Sequence, residues 1–234
     1  MISTIKRKDV GDLDGLFGYG ANDVEKERDL AIGPKTELQK ALSEFSYHLE
    51  NPNINVYQTG YGTELVISSD DLSTFTKWSR SYKGHGRFSY TFGYFASELI
   101  QNSYDNGYNN FKFDFDYHVF PFFGYKIKGE KDNPLKIFVK GNLAHSGFGR
   151  TNFVDTIIDG DVGSNFGCYS INLRACVLGG VSYGVGWISN DLKIYLSGEK
   201  DFGFGIDSEN FEELTKQKAE KIFGKDVFNG RGGI

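Results

Sequence analysis

The chain has 234 residues, a formal net charge of −5 and a pI near 5.4. This length buries a sizeable core without disulfides or metals, and the mild acidity gives no general attraction to nucleic acid or anionic membrane. Thirty Gly, four Pro, 21 Phe and 14 Tyr point to pleated structure, since Phe and Tyr favour half-buried strands and Gly favours tight turns. Two cysteines, Cys168 and Cys176, are too few for a disulfide framework and sit in apolar β-like sequence, so they read as buried thiols.

Residues 1–33 are charged, dotted with Gly and weakly periodic, and read as a loosely structured arm. Residues 34–224 read as a single domain. Thr36, with Gln39 three residues on, opens a helix whose Leu38, Ala41, Leu42, Phe45 and Leu49 share one face; Asn51-Pro52 ends it. Residues 55–68 suggest two short strands. Leu72, Phe75, Trp78 and Tyr82 predict a helix over 70–82, capped by Ser69 or Asp70. Lys83 to Gly86 is a turn. Phe88, Tyr90 and Phe92 alternate with polar residues as in a strand, and a short helix follows over 94–104.

The rest reads as strands. Phe111, Phe113, Phe115 and Tyr117 alternate with Lys112, Asp114, Asp116 and His118. Further strands are expected at 122–128, 135–140, 153–158, 169–178, 181–188, 192–197 and 202–206, with Gly179-Gly180 as a hairpin turn. A closing helix, capped by Asp207 or Ser208, carries Phe211, Leu214 and Ile222 on one face and stops at Gly224; residues 225–234 form a frayed tail. This pattern predicts an α+β fold around a predominantly antiparallel sheet, a meander, sandwich or barrel. No repeat of fixed period emerges; what recurs is Gly beside aromatic residues.

Two constellations could carry chemistry. Asp114, Asp116 and His118 would share one strand face, about 6.5–7 Å apart in sequence order, where paired carboxylates and an imidazole serve as acid and base or as part of a metal site. The same residues equally describe the wet face of a half-buried strand. His145 and Arg150 flank Gly147 and Gly149 in a loop that suits hydrolysis or anion binding. Asp155, Asp159 and Asp161 lack the full ligand run of a calcium loop. No phosphate-binding, dinucleotide or zinc motif occurs, so no cofactor is expected and the identity of any metal stays open.

The expected function is a binding or assembly protein with an aromatic- and glycine-rich sheet surface, for a protein partner or a small ligand. The rivals are a small hydrolase or nuclease-type toxin using the two constellations, and a membrane-inserting β-barrel. No secretory signal or membrane-spanning helix is read, which makes the cytoplasm the default location and leaves leaderless export compatible.

Overall fold

A computed structural model describes residues 36–51, 60–115, 118–199, 205 and 207–228. The chain divides into two compact units, Met1–Thr36 and Glu37–Ile234, and the fold described is that of the second. The expected N-terminal arm, the strand at 202–206 apart from Gly205, and the tail beyond Phe228 lie outside the described residues.

Three helices come first: α1 (Glu37–Glu50), α2 (Ser69–Ser79) and α3 (Phe88–Asp105). Six strands follow: β1 (Asn110–Asp114), β2 (Leu135–Lys140), β3 (Asn152–Asp159), β4 (Ile171–Val177), β5 (Lys193–Leu196) and β6 (Glu212–Glu213), and then α4 (Lys216–Phe223). The strands form one sheet in chain order, and every pairing is parallel. From β2 onward each residue pairs with the one 19 positions later: Leu135 with Val154, Val154 with Leu173, Arg174 with Lys193, Lys193 with Glu212. The chain therefore winds as a β-solenoid, one coil per 19 residues, after a longer first coil.

This overturns the antiparallel meander, sandwich or barrel. A parallel neighbour requires the chain to travel round before it returns, so Gly179-Gly180 is a coil corner and not a hairpin. Where strands were expected at 122–128 and 181–188, residues 121–126 and 183–188 are turns that carry the chain back to the next strand. The missed repeat is clear once the register is known. Gly141, Gly160, Gly179 and Gly198 stand at one corner of four coils. Thr151, Ser170, Ser189 and Ser208 stand at another, and Gly167, Gly186 and Gly205 at the crown of three turns. A membrane barrel needs antiparallel closure, which an all-parallel sheet does not have.

Each return turn has an unusual backbone. Its second, fourth and sixth residues take positive φ: Ser146, Phe148 and Arg150; Asn165, Gly167 and Tyr169; Gly184, Gly186 and Ile188. Non-glycine residues seldom adopt this region, and here inter-coil hydrogen bonds hold it. The first and last members donate forward, as Ser146 N–H to Ser164 O at 2.8 Å and Arg150 N–H to Cys168 O at 2.8 Å. The middle member donates backward, as Gly186 N–H to Phe166 O at 2.8 Å. Ser170 and Ser189 then tie the strand start to the turn, their buried hydroxyls donating to Gly167 O and Gly186 O at 2.5 and 2.7 Å.

The helices close the first coil. In α1, Leu38, Ala41, Phe45 and Leu49 are buried as expected. Ser68, and not Ser69 or Asp70, caps α2, its side chain accepting from Asp71 N–H at 3.1 Å. Segment 88–92 is the first turn of α3 and not a strand, because Phe88, Phe92, Phe95 and Leu99 also fall on one helical face and all are buried. Residues 60–68 carry no strand, and residues 52–59 lie outside the described set. The outer edge of β1 is covered by α2: Ser69 hydroxyl donates to Asn110 O, and Arg80 Nη2 to Asp114 O at 2.5 Å. Gly93 lets α3 lie directly on the first coil, where a Cβ would land on Pro121 O.

The Phe side chains expected to line a sheet surface fill the interior. Phe45 meets Phe92 at 6.3 Å, Phe92 meets Phe120 at 4.1 Å, and Phe115 meets Phe123 at 4.9 Å. Phe123, Phe148 and Phe166 continue this column up three coils. At the far end the closing helix begins at Lys216, and its cap is Thr215 in place of the expected Asp207 or Ser208. Phe211 and Leu214 belong to the last coil, where Phe211 lies over Gly205; Gly224 stops α4 as expected.

Candidate interaction surface

Stacking at a 19-residue step turns any one position of the coil into a column on the surface. The last turn position gives Lys126, Arg150, Tyr169, Ile188 and Asp207, all of positive φ. Two residues on, the column is Lys128, Asn152, Ile171, Asn190 and Glu209, joined by bridges and by the β3–β4 pairing. Position by position, the left-handed turn holds these side chains outward while the alternate ones, such as Phe166 and Val185, turn inward.

The middle of this edge is apolar and open. Tyr169 is 44% exposed, Ile171 45%, Trp187 39% and Ile188 42%. Arg150 lies over the Tyr169 ring with 5.4 Å between guanidinium carbon and centroid, and Tyr169 sits 6.0 Å from the Trp187 ring. Trp187 Nε1–H donates to Asp207 Oδ2 at 3.4 Å. A cation, a phenol, an indole and a carboxylate thus follow one another across four coils.

The residues singled out in the sequence fall at several places. Asp114 ends β1 and pairs with Lys140 Nζ at 3.2 Å. Asp116 lies outside the described residues. His118 stands beyond the strand, its N–H donating to Phe115 O at 2.8 Å and its ring edge-on to Phe88. The same-face spacing of a strand therefore does not reach it. His145 opens the turn that Arg150 closes, its ring 5.1 Å from Phe122 and 5.7 Å from Tyr90. Asp155 takes a two-point ion pair from Arg174, with Nε to Oδ1 at 2.5 Å, and Asp161 Oδ1 accepts Gly180 N–H at 2.7 Å. Both carboxylates act as rungs between coils. Among the described residues no three His, Cys, Asp or Glu side chains are arranged to hold a metal ion, and no helix is long and apolar enough to cross a membrane.

Two titratable groups, Glu98 and His48, are not marked by any sequence motif. Glu98 of α3 accepts the N–H groups of Tyr61 and, at 3.3 Å, Thr63. Burial pushes its carboxyl above the usual range, and the charge of Glu44 adds to this against the pull of the amide donors. His48 of α1 packs 4.3 Å from the Tyr61 ring; burial lowers its pKa, opposed by Glu44. Helical spacing marks Glu44 and His48 as one face of α1, but nothing local links them to Glu98, 50 residues on. Glu98 is committed to backbone donors, so this cluster fastens a loop between helices. Cys168 and Cys176 are both buried, as expected, with thiols pushed up to about 11 and about 12 by burial.

Comparison with protein-family models, with curated proteins and with solved structures gives no match to this chain.

Proposed function

We propose that the chain is a non-catalytic binding protein that engages its partner through the turn edge of the solenoid. The observation that carries this reading is the open stack of Arg150, Tyr169 and Trp187 flanked by Ile171 and Ile188. Tyr, Trp and Arg are the side chains that concentrate binding energy at protein interfaces, and a contiguous exposed apolar patch marks such a site. The solenoid supplies rigidity, because the backbone that carries these side chains is hydrogen-bonded to neighbouring coils, as Tyr169 N–H to Trp187 O at 3.1 Å and Ile171 N–H to Thr151 O at 2.8 Å. Binding to a surface with so ordered a backbone costs little main-chain entropy.

A photo-reactive benzoylphenylalanine introduced at Ile188 in the producing cells tests this. The expected result is a discrete cross-linked adduct that disappears when Tyr169→Ala and Trp187→Ala are added. The same probe at Lys136, on the outward side of β2, serves as control. No adduct at position 188, or an identical adduct at 136, would count against the turn edge as the binding surface.

A further inference from the structure

The same edge is graded in charge along the solenoid axis. Its first-coil end carries Lys126 and Lys128, followed by Arg150 on the next coil, and all three are exposed. Its last-coil end carries Asp207 and Glu209, also exposed. The apolar residues Tyr169 and Ile171 stand on the third of five coils, at the middle. At about 4.8 Å per coil, the basic and acidic ends are about 19 Å apart.

We propose that the occupant of this edge is a second copy of the chain, docked antiparallel about a two-fold axis through Tyr169 and Ile171; this rests on the turn edge being the binding surface. An isologous contact must be self-complementary, residue i on j and j on i. Rotation about the third coil sets Lys126 and Lys128 of one protomer against Asp207 and Glu209 of the other, twice. It also sets each Arg150 opposite the coil of Trp187 and Ile188, a cation over an aromatic and apolar surface. A parallel side-by-side pair would instead oppose lysine to lysine and carboxylate to carboxylate. A patch this narrow belongs to the small, transient class of interface, so the expected dissociation constant lies between about 10 μM and about 1 mM.

Sedimentation of the full chain over that concentration range is the test, at about 0.1 M and about 1 M salt, where the screening length falls from about 10 to about 3 Å. The wild type should dimerise, more weakly at high salt. Lys126→Glu with Lys128→Glu, and separately Asp207→Lys with Glu209→Lys, should each weaken self-association about tenfold or more. Mixing these two variants should restore a dimer, since each end then meets its opposite charge. Circular dichroism and urea midpoints identify any variant that fails to fold, and the mixing arm needs both chains folded. A wild type that stays monomeric to about 1 mM, or a mixture no tighter than either variant alone, overturns the dimer. A monomer whose cross-link at position 188 has a mass other than twice the chain keeps the turn edge and rejects self-association. A dimer unaffected by Tyr169→Ala and Trp187→Ala rejects both.

Discussion

At the scale of single residues, the turn crowns decide whether coils can stack. Gly186 has φ +68, and a Cβ there would overlap Leu192 Cδ2, the buried side chain six positions on. The same relation holds between Gly167 and Leu173 and between Gly205 and Phe211. Gly186→Ala therefore meets both the left-handed penalty, about 1–2 kcal/mol, and overpacking, about 1–3 kcal/mol. Urea unfolding should show a loss of about 2–4 kcal/mol with an unchanged denaturant slope. Gly180→Ala, whose nearest neighbouring atom would be 3.5 Å away with no positive φ, should lose far less. Equal losses at the two sites would refute the packing explanation. Phe148 is instructive here, because it occupies the crown position at φ 52 with a fully buried ring. A sequence pattern keyed on Gly fails at that coil, which is one reason the period went unseen.

At the scale of elements, a small polar cluster fastens the loop at 61–63 between α1 and α3 and carries a definite pH signature. His48 on α1 has its pKa lowered by burial, while the unfolded chain titrates near 6.5. As pH falls below about 6.5 the unfolded state takes the proton first, so stability present above that value is lost as pH drops through the depressed folded pKa. Glu98 acts in the opposite sense at lower pH, because its raised carboxyl holds a proton in the folded state before the unfolded one does. The comparison of wild type with His48→Leu removes that common background. Their difference in unfolding free energy should shift against the wild type between pH 7 and pH 5, read from urea midpoints. A difference that stays constant over this range would mean His48 titrates alike in both states. Two helices follow apolar stripes, α1 and α2, whereas the onset of α3 differs, where five alternating residues fit either period, and α4 starts later than expected because Phe211 and Leu214 face into the last coil. The strands at 135–140, 153–158 and 192–197 were legible too, while their pairing was not, since alternation marks an inward face without saying which way the neighbour runs.

At the scale of the whole molecule, the uniform step of 19 residues makes the solenoid close to one-dimensional. Each coil touches only the coils before and after it, so stability accumulates as coil terms plus neighbour interfaces. The candidate surface follows from the same fact: Arg150, Tyr169 and Trp187 are unremarkable as isolated residues and become a site only when the step is known. That step also yields a demanding prediction. Duplicating residues 160–178 inserts one coil that begins at a corner Gly and returns the chain to Gly179 in the same phase. Every inward residue, every left-handed position and the buried Ser170 hydroxyl then recur in register. The enlarged chain should fold cooperatively and lengthen by about 4.8 Å along the axis, measurable by small-angle scattering with far-ultraviolet circular dichroism unchanged in shape. Duplicating only residues 160–177 shifts the phase by one residue, which sends the inward face of one strand outward and puts bulky residues where Gly186 and Gly205 must be. That variant should fail to fold. If both duplications fold equally well, the coils are not held by the register described, and the columns that form the candidate surface lose their basis.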